Sequence, residues 1–225
     1  MELSTLIESS NDWLDKPIKT DIEAAIATGT ELVAALVIAI GEEGAPRQQI
    51  GALIGKIKGL RETLSSMEKV DWVALGGGQL CLGHRPSAKL TQHLKLQHAT
   101  HILTLLSEHE GAKDTQTLCK KQGLDWLWFP MESAVAPGEE RLEEVTELFS
   151  NMKSILAEGG QVYVHCSAGI HRTGMMAYGF LRYLGLDEEA AKEQLKALRQ
   201  VTSEQVGDQR LAWGDSVIKT IGPKD

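Results

Sequence analysis

His165-Cys166-Ser167-Ala168-Gly169-Ile170-His171-Arg172-Thr173-Gly174 sets a cysteine and an arginine six positions apart, between an apolar run and a helix-like stretch. The preceding Gln161, Val162, Tyr163 and Val164 read as a short buried strand. Thr173 through Leu184, with Met175, Met176, Tyr178, Phe180 and Leu181, reads as a buried helix. A loop joining the two aims successive backbone N–H groups at one point, and the positive end of the helix dipole lies behind it. Such a nest favours a dianionic cluster of oxygens without needing a lysine.

The residue types within the loop fit that environment. The field that attracts phosphate also stabilises a thiolate, so the pKa of Cys166 is expected to be depressed and its sulfur nucleophilic. Arg172 offers a planar fork that matches two phosphate oxygens, which a lysine cannot do. Thr173 places a hydroxyl where it can donate to the sulfur and help it leave in a second step. His165 is expected to order the loop rather than act as a base.

The bulk numbers restrict the remaining classes. A chain of 225 residues with 42% hydrophobic and 24% charged residues accommodates one sizeable domain plus an appendage, or two small domains. A net charge of -8 argues against nucleic acid or an anionic membrane held by bulk electrostatics. Cys81, Cys119 and Cys166 follow no disulfide or metal-binding spacing. The expectation is therefore no metal, no cofactor and a reducing, cytoplasmic compartment. The start, Met-Glu-Leu-Ser, lacks the basic flank and apolar core of a secretory signal. The longest apolar stretch, Leu32 to Ile40, falls well short of the roughly twenty residues that span a bilayer.

Texture divides the chain into a helical N-terminal extension, residues 1–69, and a second domain, residues 70–225. Asp21 is placed to cap a helix through Ile22, Ile26, Leu32, Leu36 and Ile40, and Pro46 suits the first turn of the next. That helix carries Gly51, Gly55 and Gly59 four apart, expected to pack closely on a neighbouring helix of this chain. A partner-binding face on residues 1–69 is the alternative. From Val70 onward, Trp72–Leu75, Gln79–Leu82, Thr100–Leu106, Trp126–Phe129 and 161–165 read as strands, the first two around a Gly76-Gly77-Gly78 turn. Glu139–Glu158, Thr173–Leu184, Asp187–Gln200 and 207–221 read as helices. The alternation predicts an α/β fold, a mostly parallel central sheet flanked by helices, with ligands outside the carboxyl ends of the strands.

The decapeptide resembles the signature of the cysteine-dependent protein tyrosine and dual-specificity phosphatases: His-Cys, five residues, Arg, then Ser or Thr. The resemblance covers about Asp71 to Ile221 and includes kinase-associated and bacterial dual-specificity-like members. It implies a phosphocysteine intermediate on Cys166, phosphate cradled by Ser167, Ala168, Gly169, Ile170, His171 and Arg172, and hydrolysis without a metal. The substrates it implies are phosphotyrosine, phosphoserine or phosphothreonine proteins, or another phosphomonoester. A phosphate-binding pseudophosphatase module with weak or no turnover is the alternative.

This chemistry needs a proton for the leaving oxygen, and later a base for water. The family supplies an aspartate from an upstream loop, here Trp128 to Pro137, and its position falls on Ser133. Glu132 is the expected substitute, ahead of Asp125, Glu139 and Glu140. Gln205, and less so Gln209, lies in a segment that resembles the family's water-positioning region. Arg85, in the Gly83-His84-Arg85-Pro86 turn, either reaches the substrate or forms a structural salt bridge. No lysine lies between Ser167 and His171, which disfavours a phosphoinositide. No tyrosine-recognition loop is evident between Asp71 and Thr100, which favours a shallow dual-specificity site.

Overall fold

The computed structural model describes residues 2–15, 22–65 and 70–221. They form two compact units, the N-terminal helices with residues 96–98 and the remainder. In the first unit α1 (Leu3–Asp15), α2 (Ile22–Ala39) and α3 (Arg47–Ser65) enclose a small core that includes Leu6, Leu32, Leu36, Ile50, Leu53 and Ile57. Pro46 stands just before α3, where its missing N–H costs nothing, and its carbonyl accepts from the Ile50 N–H. The Asp21 cap falls outside the described residues.

Gly51, Gly55 and Gly59 do not pack on a neighbouring helix, contrary to expectation: a Cβ at any of them would meet nothing within 4 Å. The buried stripe of α3 is set by Ile50, Leu53 and Ile57, and the glycines lie on nearly the opposite side of the helix, about 170° round from it. The close approach is instead at Gly29, where a Cβ would lie 2.8 Å from the Trp13 ring and 3.0 Å from the Arg61 stem.

The second unit runs β1 (Val73–Leu75), β2 (Gly78–Gly83), α4 (Ala88–Leu96), β3 (His101–Thr104), α5 (Ala112–Gln122), β4 (Asp125–Trp128), α6 (Leu142–Ala157), β5 (Gln161–His165), α7 (His171–Tyr183), α8 (Glu188–Leu198), α9 (Gln200–Gln205) and α10 (Asp208–Ile221). The strands form one sheet in the order β1-β2-β5-β3-β4, parallel except for β1. Gly76 and Gly77, with φ of 61° and 100°, make the two-residue turn that pairs Leu75 with Gly78. Leu80, Leu82, Leu103, Val162 and Val164 join one core with residues of α6, α7 and α8. Their alternates Cys81, Ile102 and Tyr163 join another with residues of α4 and α5. Burial of both faces is what a parallel sheet requires, and it explains why these strands read as near-continuous apolar runs.

The α/β sheet flanked by helices matches the sequence reading, with local differences. β3 covers only His101–Thr104, and the segment before α6 opens as a 3-10 turn over Glu139–Arg141. α4 and α5 were not anticipated. α5 buries only Ala112, Thr115 and Cys119, a stripe too small and polar to register as a hydrophobic period.

The carboxyl end of the sheet is wired by hydrogen bonds. The Trp126 indole N–H donates to the Thr104 hydroxyl oxygen (2.9 Å), the Thr104 hydroxyl lies 2.9 Å from His165 Nε2, and His165 Nδ1 lies 3.0 Å from the Cys166 carbonyl. A carbonyl only accepts, so Nδ1 carries the ring proton and Nε2 accepts from Thr104. Burial pushes His165 down to about 4 from the ordinary 6.5, which keeps the ring neutral. Its contribution to stability is therefore complete above pH 6.5 and is lost as pH falls towards 4, because the unfolded chain takes up the proton first. A His165→Gln variant is expected to lose less stability than the wild type between pH 7 and 4.5, by about 2 kcal/mol, in urea unfolding. Equal losses would assign the acid sensitivity to other groups.

Candidate active site

Cys166 leaves β5 at its carboxyl end, and α7 begins five residues later, so the intervening loop faces the site from the strand side and the helix side together. Burial pushes the Cys166 thiol up. The Thr173 hydroxyl and the backbone N–H groups of Thr173, Gly169 and Ile170 pull it down by more, so it ends below an ordinary cysteine. The Thr173 hydroxyl is buried and spent on no hydrogen bond among the described residues, and it does more than any one loop N–H to lower the thiol.

The N–H groups converge because the loop carbonyls are tied elsewhere. Arg199 Nη1 donates to the carbonyls of Ala168 (3.1 Å) and Gly169 (2.8 Å), the Thr202 hydroxyl donates to the latter (2.7 Å), and the Arg85 N–H donates to Ser167 (3.0 Å). Gly169 has φ of 71°, and a Cβ there would fall 2.1 Å from the Gly83 carbonyl oxygen, so glycine is required on two counts. Gly174 admits Thr202 and Val206 against the first turn of α7.

Arg172 is nearly buried and clamped. Its Nη1 and Nη2 donate to the two carboxylate oxygens of Glu110 at 2.5 and 2.7 Å, and Nη1 also donates to the Met131 carbonyl at 2.8 Å. These bonds hold Glu110 down at about 2 and keep Arg172 charged. They occupy the end-on edge of the guanidinium. The side-on edge, Nε–H and the second Nη2–H, has no oxygen acceptor among the described residues and can meet two oxygens of a phosphate. Arg85 does not compete for this role. It donates to the carbonyls of Glu110 (2.9 Å) and Gly111 (3.1 Å) and pairs with Asp114, so it fixes the backbone that carries Glu110.

Cys166, Arg172 and Thr173 are thus brought together, with Ser167 to His171 as the loop between them. His171 opens α7 with its side chain exposed. Glu132 is exposed and directly follows Met131, whose carbonyl Arg172 holds. The Ser133 hydroxyl accepts the Val135 N–H (3.2 Å) and serves the turn. Gln205 ends α9 with its side chain exposed, and Gln209 lies exposed on the first turn of α10. Asp125 sits at the amino end of β4, paired with His101, at the opposite end of the sheet from Cys166.

Glu110, Arg199 and Thr202 went unread in the sequence. Glu110 follows the carboxyl end of β3, where the sheet topology predicts ligand contacts, and that position was the available signal. No group of His, Cys, Asp and Glu among the described residues could hold a metal ion. No helix among them is long and apolar enough to cross a membrane.

A family described as polymorphic toxin system, DSP-PTPase phosphatase, matches residues 81–185. Laforin from Mus musculus is 31% identical over 67 residues, which are 30% of this chain; the chain spans only 20% of laforin. Among solved structures, kinase associated phosphatase with its catalytic cysteine replaced by serine aligns with a TM-score of 0.58 at 18% identity, covering 69% of this chain and 97% of that one. Tk-PTP in its active form aligns with a TM-score of 0.52 at 20% identity, covering 67% and 95%. The two structures speak to the fold, and the family match runs through the strand, loop and helix that hold Cys166 and Arg172. Over residues 81–185 the chain is thus similar in sequence to the cysteine-dependent dual-specificity phosphatases, a family of hydrolases.

Proposed function

We propose that this chain hydrolyses phosphomonoesters through a phosphocysteine on Cys166, acting on phosphotyrosine or on phosphoserine and phosphothreonine in proteins. The observation that carries the reading is the convergence of loop N–H groups and the Thr173 hydroxyl on the Cys166 sulfur, beside the edge of Arg172 that Glu110 leaves open. The Cys166 thiolate attacks phosphorus as the bond to the leaving oxygen breaks, and Glu132 gives that oxygen its proton. Glu132 then takes a proton from water, which attacks phosphorus and breaks the S–P bond, while the Thr173 hydroxyl stabilises the departing thiolate. Gln205 orients that water, and the loop from Ser167 to Arg172 holds the phosphoryl oxygens throughout. The phosphatase domain is 70–225, and residues 1–69 form a helical extension available to a partner. Three cysteines outside any disulfide favour the cytoplasm.

Replacing Cys166 by serine is expected to abolish hydrolysis of p-nitrophenyl phosphate; retained turnover would end the reading. Glu132→Gln should leave the aryl phosphate rate within a few-fold, since p-nitrophenolate needs no proton, and lower turnover of an alkyl phosphate about 10²-fold. An unchanged alkyl-to-aryl ratio would remove Glu132 from the mechanism. Because Thr173 favours the thiolate, Thr173→Val should move the acidic limb of the kcat/KM profile to higher pH. A limb that stays in place would show that it reports another group.

A further inference from the structure

The loop carrying Glu132 is fastened at four carbonyls by side chains outside it. Pro130 accepts from Arg141 Nη1 (2.8 Å), Met131 from Arg172 Nη1 (2.8 Å), Ala134 from Arg210 Nε (3.0 Å) and Pro137 from the Trp213 indole (3.2 Å). So held, the loop does not fold over its own apolar residue: Val135, at its tip, is 74% exposed. Within the curl lies a cavity of about 190 Å³ lined by Met131, Val135, Ala136 and Pro137, with Glu132 and Glu140 also on its wall.

Met131 joins this cavity to the phosphate clamp, because the residue that lines the hollow also binds Arg172 through its carbonyl. A group bound in the hollow therefore touches the residue whose backbone meets Arg172. A pre-fastened loop loses little freedom on binding, and aliphatic surface brought against Met131, Val135 and Pro137 is removed from water on both sides. The two carboxylates repel an acidic occupant. Arg141, the cation on the wall, is already engaged with Glu144 and the Pro130 carbonyl and offers an acid no counter-charge.

We propose that this cavity is a substrate subsite for an aliphatic side chain adjacent to the phosphorylated residue of a peptide, with Val135 as its outer wall. The proposal rests on the phosphatase reading above. The test uses the full chain with phosphopeptides that differ only in the residue before or after the phosphorylated one, leucine against aspartate, and p-nitrophenyl phosphate as a substrate with no flanking group. The leucine peptide of one of the two sets is expected to show a kcat/KM roughly tenfold above its aspartate counterpart. Val135→Asp should lower that advantage several-fold beyond any change it makes on p-nitrophenyl phosphate. Equal kcat/KM for leucine and aspartate in both sets, or an equal proportional loss on peptide and p-nitrophenyl phosphate, overturns the subsite and leaves the phosphatase reading standing. Absence of Cys166-dependent turnover of p-nitrophenyl phosphate overturns both.

Discussion

The bidentate ion pair between Arg172 and Glu110 is the joint on which the site turns. The two residues lie far apart in sequence, on the loop after β3 and the first turn of α7, and their pairing fixes the plane of the guanidinium. A mostly buried arginine without a carboxylate would carry an uncompensated charge, and a carboxylate on both edges would leave nothing for an anion. Using one edge satisfies the charge and presents the other. Arg85 extends the constraint backwards by holding the backbone at Glu110 and Gly111, so a turn after β2 governs the aim of a residue in α7.

The loop from Ser167 to Arg172 obeys a similar division of labour. Arg199 and Thr202 take its carbonyls, and its N–H groups are thereby left to converge on the Cys166 sulfur. The positive field at the sulfur thus comes largely from amide dipoles rather than from lysines, which is consistent with a protein of net charge -8 holding an anion-binding pocket. The loop over Arg172 follows the same pattern, with Arg141, Arg210 and Trp213 each donating into a backbone carbonyl.

What could be read from sequence was what is local. The strand at 161–165, the loop and the helix after it are contiguous, so Cys166, Arg172 and Thr173 were legible from residue types and spacing. The glycine hairpin and the Asp187 cap, whose side chain accepts from the Ala190 N–H, were legible for the same reason. Glu110 was not, because its meaning arises only when parallel pairing of β3 with β5 brings two loop ends together. α5 escaped because a stripe of alanine, threonine and cysteine buries little apolar surface, and the sheet rather than its own pattern holds it in place. The glycines of α3 were misread because a four-residue spacing defines a face without saying what lies opposite it.

The three cysteines occupy very different environments for one residue type. Cys81 and Cys119 are buried in the core on the α4 and α5 side, and burial pushes both up to about 12, whereas Cys166 is drawn below an ordinary thiol. Alkylation follows the thiolate, so near neutral pH an electrophile such as iodoacetamide discriminates among the three by ionisation as well as by access. The stoichiometry of its incorporation into the native chain therefore counts correctly assembled Cys166 loops, and unfolding releases the other two sulfurs as an internal standard for total protein.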